Sequence, residues 1–143
     1  MKTSIRLALF MMFVPLVASA QYKDLDAAMS GITRGFERGE TQQIIAGMTE
    51  GDQVMLQFPG IIEADGFFAR DRASYMLDEL FNKTKPSGFK QKSARKVSSE
   101  GQYHLTAEWT IKPSGPSEER ELYVTLRNKG DRWSIVSIRS GSR

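Results

Sequence analysis

The single histidine of this 143-residue chain, His104, lies in a stretch from Tyr103 to Lys112 in which apolar and polar residues alternate. A period of two is the mark of a strand with one buried face. Tyr103, Leu105, Ala107, Trp109 and Ile111 therefore share one face, and His104, Thr106, Glu108, Thr110 and Lys112 the other. Imidazole titrates near neutrality and a nearby carboxylate would fix its tautomer, so His104 with Glu108 could serve general acid–base chemistry. The same residues are more readily read as the solvated outer face of a sheet. Nothing completes a catalytic set: the chain has no cysteine, no G-x-S-x-G and no H-E-x-x-H. No catalytic residue, metal ligand or cofactor is expected.

A second candidate is the run Lys83, Lys85, Lys90, Lys92, Arg95 and Lys96, which contains no acid. Such a run could meet an anionic partner, or could keep a sheet edge solvated and closed to aggregation. Simple alternation places Lys90, Lys92 and Lys96 on one strand face. It sends Arg95 inward with Phe89, Gln91, Ser93 and Val97, where a charge must find a partner. Aromatic residues including Phe67 and Phe68 are expected to converge between sheet and helices. A concave apolar cavity with a few polar groups is the usual form of a small-molecule site. The candidates to line it are Phe58, Tyr75, Phe81, Gln91, Arg95, Tyr103, Trp109 and Trp133.

These residues need elements to position them. Leu25, Met29, Ile32 and Phe36 recur at helical spacing and predict a helix from about Asp24 to Arg38, stopped at Gly39. Glu40 to Met48 reads as a shorter helical piece. Val54, Leu56 and Phe58 alternate as a strand closed by Pro59-Gly60, and Ile61-Ile62 reads as a short paired segment. Ala73, Met76, Leu77, Leu80 and Phe81 share one face of a helix from about Ala69 to Lys83. Strands then follow at Phe89–Val97, Tyr103–Lys112, Glu121–Asn128 and Trp133–Arg139. Short links between them allow only antiparallel neighbours. Helices first and a strand meander afterwards predict an α+β fold, a curved antiparallel sheet of long C-terminal strands wrapped around N-terminal helices. In the last strand Trp133 and Ile135 fall on one face and Val136 and Ile138 on the other, which predicts a second apolar face in want of a cover.

The first 20 residues read as an address. Lys2 and Arg6 precede an apolar run from Leu7 to Val17, and Ala18-Ser19-Ala20 offers small residues for cleavage, which is the pattern of a secretory signal peptide. The run is too short to span a bilayer comfortably. A single domain, residues 21–143, remains. Removing the segment takes away two of the 20 basic residues and none of the 17 acidic ones, leaving the charges nearly balanced. A nearly neutral exported chain is not expected to bind nucleic acid.

The element order resembles the cone-shaped, cystatin-like fold of nuclear transport factor 2 and ketosteroid isomerase. More narrowly, the chain is similar to exported bacterial proteins of the domain of unknown function numbered 4783. Three segments carry this likeness: Gly51-Asp52 through Phe58, Arg72-Ala73 through Leu80-Phe81, and Phe89 with the strands of Tyr103, Glu121–Leu126 and Ile135–Arg139. The resemblance implies a fold, a periplasmic or secreted location and no established activity. The isomerase branch pairs an Asp base with Tyr and protonated-Asp oxyanion donors, and no residue here aligns to those roles. The expectation is a non-enzymatic module that binds a small apolar ligand or a protein partner, with a homodimer formed through the sheet face. The alternative is a small dehydratase or isomerase acting on an apolar molecule in the cone cavity, with Arg95, His104 or Glu108 as its ionisable groups.

Overall fold

A computed structural model describes residues 25–97, 101–130 and 132–141. The expected signal peptide, residues 1–20, lies outside them. The helices are α1 (Leu25–Arg38), α2 (Thr41–Ile45) and α3 (Arg70–Thr84); the strands are β1 (Gln53–Gln57), β2 (Asp65–Ala69), β3 (Pro86–Val97), β4 (Gln102–Ile111), β5 (Glu118–Lys129) and β6 (Arg132–Ser140). They form one six-stranded sheet in the order β2-β1-β6-β5-β4-β3. The helices cover one side of it. This is the expected α+β architecture.

Helix α1 buries Ile32 and Phe36 of the stripe read from the sequence, half-buries Leu25 and Met29, adds Ala28 to the buried face, and lies along β3. It ends where Gly39 takes φ 70°, a left-handed conformation that side chains disfavour. Helix α3 buries Ala73, Leu77, Leu80, Phe81 and Thr84 and sits over β1 and β2. Between helices and sheet runs a continuous core that includes Phe36, Phe58, Leu80, Trp109, Leu122 and Ile138.

Four expectations change. Ile61-Ile62 does not pair; the strand partner of β1 is β2, with Val54 opposite Phe68 and Met55 opposite Phe67. The first strand also joins the last in parallel, Met55 opposite Ser137 and Leu56 opposite Ile138. This non-local pairing has no signal in a local pattern. Third, β3 bulges against β4: Gln91 stands opposite Ala107 and Ser93 opposite Thr106, so Lys92 is an extra residue. Because the side-chain period is two, one extra residue exchanges the faces of everything beyond it. Arg95 thus pairs with His104 on the open side, and Lys96 with Tyr103 on the helix side. Lys90, Lys92 and Lys96 do not share a face. Fourth, β6 bulges at Val136, between the Leu126–Ile135 and Thr125–Ser137 pairs. Trp133, Ile135 and Ile138 are all buried in consequence. Of the second apolar face expected of this strand only half-buried Val136 remains, since Ile138 turns into the core.

Candidate functional site

The interior is filled by side chains. Phe36 packs edge-on against Phe81 and Trp109 with ring centroids 5.6 and 5.5 Å away, and stacks on Phe89 at 6.2 Å. The indole N–H of Trp109 donates to the Phe36 carbonyl at 2.9 Å, satisfying one of the orphan acceptors at the end of α1. Phe58, Phe81, Trp109 and Trp133 are buried, and half-buried Tyr103 packs edge-on against Trp133. The other three candidates for lining a cavity do not join them. Tyr75 is 66% exposed, because two residues of helix carry it far round from both Ala73 and Leu77. Gln91 is exposed on the sheet-edge strand, and Arg95 is exposed on the far side of the sheet through the bulge. Phe67, expected inside, is 68% exposed; Phe68 opposite Val54 takes the helix side, which leaves Phe67 opposite Met55 on the other.

The open face has a definite order. One register row crosses all six strands: Phe67 on β2, Met55 on β1, Ser137 on β6, Thr125 on β5, His104 on β4 and Arg95 on β3. Apolar groups stand at one edge, hydroxyls in the middle and cationic or titratable groups at the other edge. The His104 Nδ1 lies 3.2 Å from the Thr125 hydroxyl. At the apolar end a groove of about 380 Å³ is bounded by Met55, Phe67, Val136, Ser137, Arg127 and Lys129. Lys129 is paired with Asp52. Among the described residues, neither Arg95 nor Arg127 forms an ion pair.

Lower on the same face several charged groups are joined to one another. The Tyr123 hydroxyl donates to Glu121 at 2.5 Å, the Lys92 ammonium donates to the same carboxylate at 3.1 Å, and the Arg139 guanidinium lies over the Tyr123 ring. The hydrogen bond from Tyr123, then that from Lys92, holds the Glu121 carboxyl below its ordinary range. The bond to Glu121 raises both the Tyr123 phenol and the Lys92 ammonium. Glu119 is raised, chiefly by its hydrogen bond to Glu108. A raised phenol contributes stability below the ordinary tyrosine range and loses it as pH rises through the raised value. Glu121→Gln removes the charged acceptor. The Tyr123 phenol, followed by NMR of labelled tyrosine, is therefore expected to titrate at lower pH in that variant than in the parent; an unchanged titration would refute the network.

Neither His104 nor Glu108 nor Arg95 faces the helices, so the sequence's candidate acid–base groups are not gathered in the interior. Among the described residues, no group of three or more His, Cys, Asp or Glu side chains could hold a metal ion. No helix among them is long and apolar enough to cross a membrane. The groove at Phe67 was missed because the parity of two adjacent phenylalanines shows that one must face out but not which.

No curated protein matches the chain. Solved structures do. A DUF4783 family protein from Bacteroides ovatus is 22% identical, with 78% of this chain and 91% of that one covered at a TM-score of 0.65. An NTF2-like protein from Anabaena variabilis is 21% identical over 89% and 93% of the two chains, TM-score 0.63. A hypothetical protein with a ketosteroid isomerase-like fold from Catenulispora acidiphila, solved in complex with trimethylamine, is 9% identical over 80% and 84%, TM-score 0.61. These likenesses establish the NTF2-like cone. The model of one family, described as domain of unknown function DUF4783, matches residues 29–140, and the chain therefore belongs to the DUF4783 family.

Proposed function

We propose that this protein is an exported, non-enzymatic module that binds a protein partner on the open face of its sheet. Export is supported by the basic, apolar and small-residue order of the first 20 residues. The observation that carries the binding role is Phe67, 68% exposed beside Met55 and Val136 in a groove with a polar rim. Exposed large aromatic side chains are frequent anchors of protein interfaces. A small apolar ligand would need room between helices and sheet, where Phe36, Phe81, Phe89 and Trp109 already pack together.

Photo-cross-linking in cells that export the chain tests this. With p-benzoylphenylalanine in place of Phe67, a discrete cross-linked protein is expected; the same probe in place of Tyr75, equally exposed but on the helix side, is expected to give none. Cross-links from position 75 and none from 67 would overturn the choice of face. The recovered protein is expected to begin at Gln21, and an intact mass retaining residues 1–20 would overturn export.

A further inference from the structure

We infer that the occupant of the open face is an acidic segment of a partner protein, anchored by an apolar side chain over Phe67 and Met55 and held by carboxylates at Arg127, His104 and Arg95. This rests on the reading that the open face is the working surface, and it names the chemistry of the partner. The register row makes the argument. It runs from two apolar side chains through the Ser137 and Thr125 hydroxyls to His104 and Arg95, without a carboxylate along it. Five interstrand steps make it about 24 Å long, the length of roughly seven extended residues.

Two cations of this face have carboxylate partners of their own. Lys92 has Glu121 and Lys129 has Asp52, so those cations are already matched within the chain. Arg127, at the groove, and Arg95, at the end of the row, have no described carboxylate in ion-pair contact. A partner that supplies acids there gains attraction and steering without displacing an internal pair. An apolar surface such as a lipid tail would meet only the Phe67 end and would leave the hydroxyls and cations against hydrocarbon, a costly burial. A second copy matches less well. A two-fold axis lying along the row sets Arg95 and His104 against their own copies, and one lying across its middle sets Arg95 over the apolar end.

The test is selection of short random peptides displayed on phage against the immobilised full chain, followed by fluorescence anisotropy of the best selected peptide. Enriched sequences are expected to join an aromatic or large aliphatic residue to at least two acids. Phe67→Ser and Arg127→Glu are each expected to weaken binding by about tenfold or more. High salt is expected to weaken it further, and Tyr75→Ser to leave it unchanged. Circular dichroism melts confirm that each variant is folded. Acid-free peptides whose binding ignores salt but is lost in Phe67→Ser would overturn the acidic partner and leave the open-face reading standing. Peptides indifferent to both substitutions would overturn both. Failure to enrich any sequence also overturns the inference; if self-association that depends on Phe67 appears in sedimentation, the occupant is a second copy instead.

Discussion

Trp109→Ala is expected to destabilise the protein by about 3–5 kcal/mol, the range for removing a fully buried large aromatic side chain. Trp109 is 0% exposed and stands among Phe36, Phe81 and Phe89, on the strand face that α1 covers. Its removal opens a cavity at the meeting point of α1, α3 and the sheet. It also strips the Phe36 carbonyl of its donor, and the cost of a buried acceptor left unpaired, about 1–3 kcal/mol, is part of that loss. Against the ordinary stability of about 5–15 kcal/mol, the loss should leave a substantial unfolded population. Trp109→Phe separates the contributions, since it keeps a ring in the aromatic block and removes only the donor and part of the volume. Urea denaturation followed by circular dichroism gives both values. A Trp109→Ala midpoint close to that of the parent would show that the interior is not packed as described.

The second large effect comes from the smallest residue. A β-carbon added at Gly35 would stand 2.3 Å from Cγ1 and 2.8 Å from Cδ1 of Ile44, and 3.3 Å from the Glu40 carbonyl oxygen. Ile44 is fully buried on α2. Alanine favours a helix over glycine by about 1 kcal/mol, so an unhindered site would gain stability. Here the clash is expected to prevail, with Gly35→Ala costing about 1–3 kcal/mol net as α1 and α2 are forced apart. The cause is checked by a double-mutant cycle with Ile44→Ala, which removes both clashing atoms. The two substitutions together should cost less than the sum of the separate losses, by about 1 kcal/mol or more. Strict additivity would mean that Ile44 is not what Gly35 accommodates.

Much of this architecture was legible in the sequence because it rests on local periodicity. The stripe from Leu25 to Phe36 marks α1, the one from Ala73 to Phe81 marks α3, and the alternation from Tyr103 to Ile111 places Trp109 inward and His104 outward, as β4 has them. The errors arise where one residue is added to a strand. Lys92 and Val136 are such additions, and each inverts the parity of the residues beyond it. Arg95 moves in this way from the expected interior to the open face, and Ile138 from the open face to the core. A bulge of this kind is fixed by the neighbouring strand, and no alternation within β3 or β6 announces it. The parallel contact of β1 with β6 is similarly non-local. It closes the row that brings Phe67 and Met55 into line with Ser137, Thr125, His104 and Arg95, so the candidate site became visible only with the complete sheet register.

Amide chemical-shift mapping with the selected acidic peptide bears most directly on the claim that this cone works through its open face and not its interior. Shifts are expected along Phe67, Met55, Ser137, Thr125, His104 and Arg95 and at Arg127, with Phe36, Phe81 and Trp109 undisturbed. Shifts concentrated on Phe36, Phe81 and Trp109, with the open row silent, would contradict it.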